Sequence, residues 1–296
     1  MTLVGYFFYS MPFFRKLVAK SCMLLKENSS ILIPIDFSKQ SLVAIRHSYN
    51  IAKLTKSKII IMHVHKPGSP NQAAELESLK ADIIKESGLV VETLNFEGDI
   101  YDTTDKKAEE LQCMLIVVGL DTHVRFRSFM GSNQASKFIK KSPCPVITIR
   151  STTGRMDCKN IILPFDLSPE SREKVGIAVQ LANYYKADLR IVSVFPPSDH
   201  KYENKLLPYL QQVKKFIKEK GVNCTNKSIP ANDVAEAIVD YANKNDCDLI
   251  IQMNKKDKSL GEMFGGTMSE KMVDISNVPI LTINPMKRES YSTGIH

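Results

Sequence analysis

Two tandem α/β domains, each a doubly wound five-stranded parallel sheet, are what this sequence predicts. Three observations carry that expectation. The chain has 296 residues with 43% hydrophobic and 24% charged content, it repeats itself internally, and apolar runs of strand length alternate with longer helical stretches. The composition is that of a folded, soluble chain, and the length suits two domains better than one.

The repeat is read by writing residues 160 onward beneath residues 30 onward. Ile31-Leu-Ile-Pro34-Ile-Asp36-Phe-Ser38 then lies over Ile161-Ile-Leu-Pro164-Phe-Asp166-Leu-Ser168 without a gap. The offset of 130 persists through Ser41 and Ser171, Ala52 and Ala182, and Val64 and Val194; it slips to 134 so that Pro145-Val146 meets Pro279-Ile280.

Each copy has the same order of elements. A short apolar run ends in Pro-x-Asp, a helical stretch follows, and a second apolar run covers 58–64 or 189–194. After a polar helix come a strand at 89–95 or 222–228 and a helix from about Ile100 or Asp233. An apolar run at 115–118 or 249–251, a loop, a final helix and a last strand at 146–149 or 280–283 complete the copy. Strands that alternate with helices in this way form a parallel sheet covered on both faces. The boundaries expected are an N-terminal extension over 1–29, domains at 30–150 and 160–284, a linker at 151–159 and a C-terminal tail at 285–296.

The extension differs from everything after it. Met1 to Phe14 is apolar and aromatic, and Arg15, Lys16 and Lys20 follow. It lacks the basic start of a secretory signal and falls short of the ~20 apolar residues that span a bilayer. A later working start at Met11 or Met23, a poorly ordered tail, and an interfacial or partner-binding helix remain open; a membrane partner is expected only through these residues.

The net charge of +8 divides as +3 over 1–29, +3 over 30–150 and +2 over the rest, so neither domain is strongly basic. No basic stripe interleaved with aromatics is present, which argues against nucleic-acid binding. The six cysteines are scattered without zinc or thioredoxin spacing and read as reduced, mostly buried thiols of a cytoplasmic protein. His63 and His65 share a strand face, but no partner lies in reach by sequence, so no metal site is expected.

In an open sheet of strand order 3-2-1-4-5, the crevice lies between strands 1 and 4, beyond their carboxyl ends. The loops placed there hold Asp36 and Ser38 or Asp166 and Ser168 after strand 1, and Gly119 to Asn133 or Gln252 to Thr267 after strand 4. A carboxylate accepts ribose or adenine donors, and amides at a helix N-terminus hold phosphates. The alternative is that these residues cap the next helix.

At these residues the sequence resembles the universal stress protein family: Ile-Pro-x-Asp-x-Ser, the His63-Val64 pair, Gly98, and the ending Pro143-Cys144-Pro145-Val146-Ile147. The resemblance covers nearly all of 30–150 and 160–284 and implies the fold just described. Some members of that family bind ATP, using an Asp after strand 1, a Val after strand 2, and a loop of Gly, two residues, Gly, nine residues, Gly, then Ser or Thr. Carried over, it points to Pro34, Asp36, Val64 and Gly119 in copy one and to Pro164, Asp166 and Val194 in copy two. The copy-one loop has Thr122 at the second Gly and ends either in Ser132-Asn133 or, shifted by one, in Gly131-Ser132. The copy-two loop has Met253 and Lys256 at the first two glycines and keeps Gly266-Thr267.

A side chain at these glycines obstructs close approach to a phosphate, so both loops are degenerate, with Lys256 offering a compensating charge. ATP is therefore the one cofactor to consider. No nucleophile with a base is apparent, His123 being an isolated loop histidine, so a regulatory or sensor protein is expected, with a non-nucleotide scaffold and a weak ATP hydrolase as alternatives. Family relatives pair through the fifth strand, which implies that 146–149 and 280–283 satisfy each other within one molecule. A further homodimer and an unknown protein partner remain open.

Overall fold

The computed structural model describes residues 24–120, 134–150, 157–199, 201–254 and 267–285. Copy one runs β1 (Ser30–Ile35), α1 (Lys39–Thr55), β2 (Lys58–His65), α2 (Ala73–Ser87), β3 (Val91–Glu97), α3 (Ile100–Glu110), β4 (Leu115–Gly119), α4 (Gln134–Lys141) and β5 (Val146–Ile149). Copy two runs β6 (Asn160–Pro164), α5 (Pro169–Glu173), α6 (Val175–Tyr185), β7 (Asp188–Phe195), α7 (Tyr202–Glu219), β8 (Cys224–Pro230), α8 (Val234–Lys244), β9 (Leu249–Met253), α9 (Met268–Ile275) and β10 (Ile280–Ile283).

The strands form one ten-stranded sheet in the order β3-β2-β1-β4-β5-β10-β9-β6-β7-β8. Each half is parallel and has the order 3-2-1-4-5. The halves meet where β5 pairs antiparallel with β10, Leu281 standing opposite Ile147. This is the fifth-strand pairing that the repeat and its resemblance led us to expect, and it leaves β3 and β8 as the sheet edges.

Alternate residues of each central strand enter opposite layers, as a parallel sheet covered on both faces requires. Ile31, Ile33 and Ile35 join one apolar core together with Ile161 and Leu163. Leu32 and Ile162 join the other. Both cores draw on both copies, so burial as well as the β5–β10 ladder unites the halves.

The third strand of each copy begins two residues later than the sequence reading placed it. In both, the preceding helix ends in a left-handed glycine, Gly88 (φ +70°) or Gly221 (φ +77°). The apolar residues after it still belong to that helix end: the Val222 N–H donates to Ile217 O at 3.3 Å, and Leu89 N–H to Ser87 Oγ at 3.2 Å.

Residues 24–29, which the sequence reading assigned to the extension, reach across to copy two. Leu25 is buried; its N–H donates to Gln180 Oε1 and its carbonyl accepts from Gln180 Nε2, both at 2.8 Å. Tyr184 donates to Glu27 at 2.9 Å. Cys113, Cys144 and Cys247 are buried, Cys158 and Cys224 half-buried, and all five are free thiols. No helix among the described residues is long and apolar enough to cross a membrane.

Candidate functional site

Beyond the carboxyl end of β1, the chain turns sharply into α1. Asp36 Oδ1 accepts the Ser38 N–H at 3.0 Å, Phe37 takes φ +59°, and Ser38 caps the helix by accepting the Ser41 N–H at 3.3 Å. The serine is thus a helix cap and the aspartate the organiser of the turn. Burial pushes the Asp36 carboxyl up, but hydrogen bonds from the Ser38 hydroxyl and N–H and from Ser41 outweigh it, so the group ends below its ordinary range.

Copy two repeats the Asp–Ser hydrogen bonds with a tighter network, although Leu167 does not take the positive φ of Phe37. Asp166 Oδ1 accepts the Ser168 N–H at 2.9 Å, the Ser168 hydroxyl, and the Ser171 hydroxyl at 2.5 Å. Ser168 again caps the helix through the Ser171 N–H at 3.3 Å.

Pro164, Asp166 and Val194 border one cavity of about 230 Å³, together with Lys174, Tyr202 and Gln252. The structure thus brings together three of the residues singled out in copy two and adds Lys174 and Tyr202, which sequence reasoning missed, and Gln252, which it had read only as the start of the crevice loop. Gln252 is 1% exposed in β9. Its Nε2 donates to the Ser269 carbonyl at 3.2 Å and to Thr282 Oγ1 at 3.0 Å, which fixes the orientation of the amide because a carbonyl only accepts. Its Oε1 is buried without a partner. A polar residue inside the apolar run Leu249-Ile-Ile-Gln-Met253 was the signal that could have revealed it.

The remaining residues are placed as follows. Thr267 caps α9 in a capping box: its Oγ1 accepts the Glu270 N–H at 3.3 Å, and its own N–H donates to Glu270 Oε2 at 2.6 Å. The amide read as a phosphate donor is therefore already satisfied by a carboxylate. Pro34 lies in β1 opposite Met62, and Val64 in β2 opposite Phe96. Gly119 ends β4 against the first turn of α1, where a Cβ would overlap the Gln40 carbonyl and stand 2.7 Å from Ser41 N. Packing alone demands glycine there. Gly131, Ser132, Asn133, Lys256 and Gly266 lie outside the described residues, as does His123.

His63 and His65 do share a strand face, with ring centroids 6.4 Å apart, and His63 Nδ1 is 3.0 Å from the Ile35 carbonyl. Phe37 packs on His63 with centroids 5.0 Å apart. Among the described residues there is no group of three or more His, Cys, Asp or Glu side chains arranged to hold a metal.

A family model described as "Universal stress protein family" matches residues 27–150 and again 158–284. The chain belongs to the universal stress protein family. It is similar to a universal stress protein of Methanocaldococcus jannaschii, 28% identical over 148 residues, covering 44% of this chain and 85% of that one. A universal stress protein of Synechocystis is 24% identical over 132 residues, covering 40% of this chain and 84% of its own length. Both relatives correspond to a single copy. A solved universal stress protein from Archaeoglobus fulgidus superposes with a TM-score of 0.71 at 15% identity, over 90% of this chain and all of that one, which shows a shared fold spanning both copies.

Proposed function

We propose that this tandem universal stress protein is a cytoplasmic, non-catalytic regulator whose copy two binds an adenine nucleotide. The observation that carries the reading is Gln252, which lines the cavity bordered by Asp166 and whose Oε1 is buried without a partner. A buried acceptor left unpaired costs about 1–3 kcal/mol, which a ligand N–H or O–H would recover. Val192, Val194, Met253 and Met268 give the cavity an apolar side suited to a base.

The volume is below the roughly 300–1,000 Å³ usual for small-molecule pockets, so it would enclose a nucleoside and leave phosphates outside. Those phosphates would meet Thr267, whose amide is already held by Glu270. This geometry supports weak, nucleoside-centred binding.

Purified protein, heat-denatured, would release bound nucleotide for chromatography, and calorimetric titration with ATP, ADP and AMP would rank them. Asp166→Ala and Gln252→Val are expected to weaken binding roughly tenfold or more, and Asp36→Ala less. Absence of heat and of thermal shift at millimolar nucleotide would refute this reading and favour the scaffold alternative. A greater loss with Asp36→Ala would move the site to copy one.

A further inference from the structure

At the opposite end of the copy-one strands, where β1 and β2 begin, the surface is hollowed into a cleft of about 840 Å³. It lies some 20 Å from Asp36, six strand residues away at about 3.3 Å each. Among the described residues four lysines line it, Lys26, Lys53, Lys56 and Lys58, against the single acid Glu27, a net charge of +3.

Two of these charges are already engaged. Lys58 holds Glu92 at 2.8 and 2.9 Å, and Glu27 accepts from Tyr184 of copy two at 2.9 Å. The ammonium groups of Lys26, Lys53 and Lys56 have no acceptor among the described residues. The other wall is apolar, with Val90 67% and Leu111 41% exposed.

A bland account is that lysines gather here because helices α1, α2 and α3 end here, with their partial negative charge. Copy two tests that account, because its helices end at the same place with the same backbone: Lys56 and Lys186 take φ +52° and +53°, and Gln112 and Asp246 take +48° and +52°. The positions of copy two equivalent to the cleft lining hold Lys159 and Lys186 against Asp157, Asp188 and Asp246, a net charge of −1. Lys53 is replaced by Asn183. At the positions equivalent to the cleft lining, copy two closes its helix ends without a lysine excess, its last-turn lysines Lys218 and Lys244 standing outside them, so the dipoles do not require lysines at these particular positions of copy one.

We infer that this cleft is a second ligand site, specific to copy one, for a small molecule bearing two or more phosphate groups. Three unpaired ammonium groups on flexible stems supply point charges suited to phosphate oxygens, and the Val90–Leu111 wall suits an organic portion. The concavity and volume fall in the range of small-molecule sites.

Calorimetric titration of the full chain with inorganic tripolyphosphate, at about 0.15 M salt where long-range attraction is screened, tests the assignment. One site is expected. Lys26→Gln combined with Lys53→Asn should weaken it roughly tenfold or more, while Lys218→Gln with Lys244→Gln, which removes the same charge from copy two, should change it less than about twofold. The replaced side chains are exposed, and unchanged melting confirms folding; should the double variant fail to fold, Lys26→Gln alone should still give a roughly threefold loss.

Equal losses in the two double variants would reduce the effect to net charge and overturn the site. So would absence of heat at millimolar tripolyphosphate. Displacement by ATP with no response to the cleft lysines would assign the phosphate to the nucleotide end instead. Citrate binding as tightly as tripolyphosphate would overturn the preference for phosphate. The outcome is independent of Asp166→Ala, which should leave tripolyphosphate binding unchanged.

Discussion

The first helix of copy one is continuous from Lys39 to Thr55, whereas its counterpart in copy two is broken at Lys174 into α5 and α6. The strand end that faces each helix differs in step. Gly119 ends β4, and its lack of a side chain lets the Gln40 backbone pass directly over it. Met253 ends β9 and is itself buried at 6% exposure. The helix over it starts at the same aligned position, Pro169 after the cap Ser168, but stops after five residues, and we read that early break as the way copy two accommodates the side chain. One fold thus solves the strand–helix junction twice: by close backbone approach in copy one, and by a buried methionine with an interrupted helix in copy two. The same interruption puts Lys174 on the wall of the copy-two cavity, at a position where copy one has Ala44.

The strongest way to break this comparison is to give copy one a side chain. Gly119→Ala should destabilise by about 2–3 kcal/mol, because the obstacle is backbone and cannot rotate away. In a chain of this size that lowers the melting temperature by roughly 5–10 °C. An unchanged melting curve would mean that the first turn of α1 moves freely and that the broken helix of copy two has another cause.

A second contrast lies on α3. Asp105 has a buried Oδ1 without a partner, where copy two carries Val239. Burial, reinforced by the charge of Asp102 and opposed by Lys141, pushes its carboxyl up to about 7. The folded state therefore favours the protonated acid relative to the unfolded chain, whose carboxyl titrates near 3.9. Stability from this preference is complete below about pH 4 and is lost as pH rises through about 7. Asp105→Val should therefore gain stability over the parent as pH is raised from 5 to 8, by on the order of 1 kcal/mol after allowance for partial exposure. Melting curves at the two pH values give the difference directly, and an equal gain at both would show that packing, not titration, is the cause.

The extent to which the sequence foretold this molecule follows from where each signal comes. The strands rest on apolar runs and on the repeat, which is why ten strands were legible. The late start of β3 and β8 was not, because a left-handed glycine keeps the next apolar residue in the helix end. Asp166, Pro164 and Val194 were found because the repeat marks them twice. Tyr202 and Lys174 have no like counterpart in copy one, where Gln72 and Ala44 stand instead, so a reading that leaned on the repeat passed over them, and Gln252, opposite Val118, was read only as the start of a loop. The occupation of the Thr267 amide was legible after all: Thr-x-x-Glu is a capping-box pattern, and Thr267 to Glu270 carries it.

That capping box supplies the smallest and most local test of how the copies differ. Lys140 on α4 of copy one binds Glu270 Oε1 at 2.6 Å, while Oε2 of the same carboxylate accepts the Thr267 N–H at 2.6 Å. Copy one therefore helps to hold the group that occupies the N-cap amide of α9 in copy two. The reverse contact has no basis in sequence, since Ser136 stands at the position of Glu270 and Asp274 at that of Lys140. Lys140 is 36% and Glu270 15% exposed, so the pair is expected to contribute only about 0.5–1 kcal/mol. A double-mutant cycle of Lys140→Met and Glu270→Gln, read by denaturant unfolding, should return a coupling in that range, and high salt should reduce it. Glu270→Ala should cost more than Lys140→Met, by roughly a further 0.5–1 kcal/mol, because it removes the cap as well as the ion pair. If Lys140→Met proves the costlier change, the carboxylate is held chiefly by the partner copy, and the cap of α9 depends on how the two halves are joined.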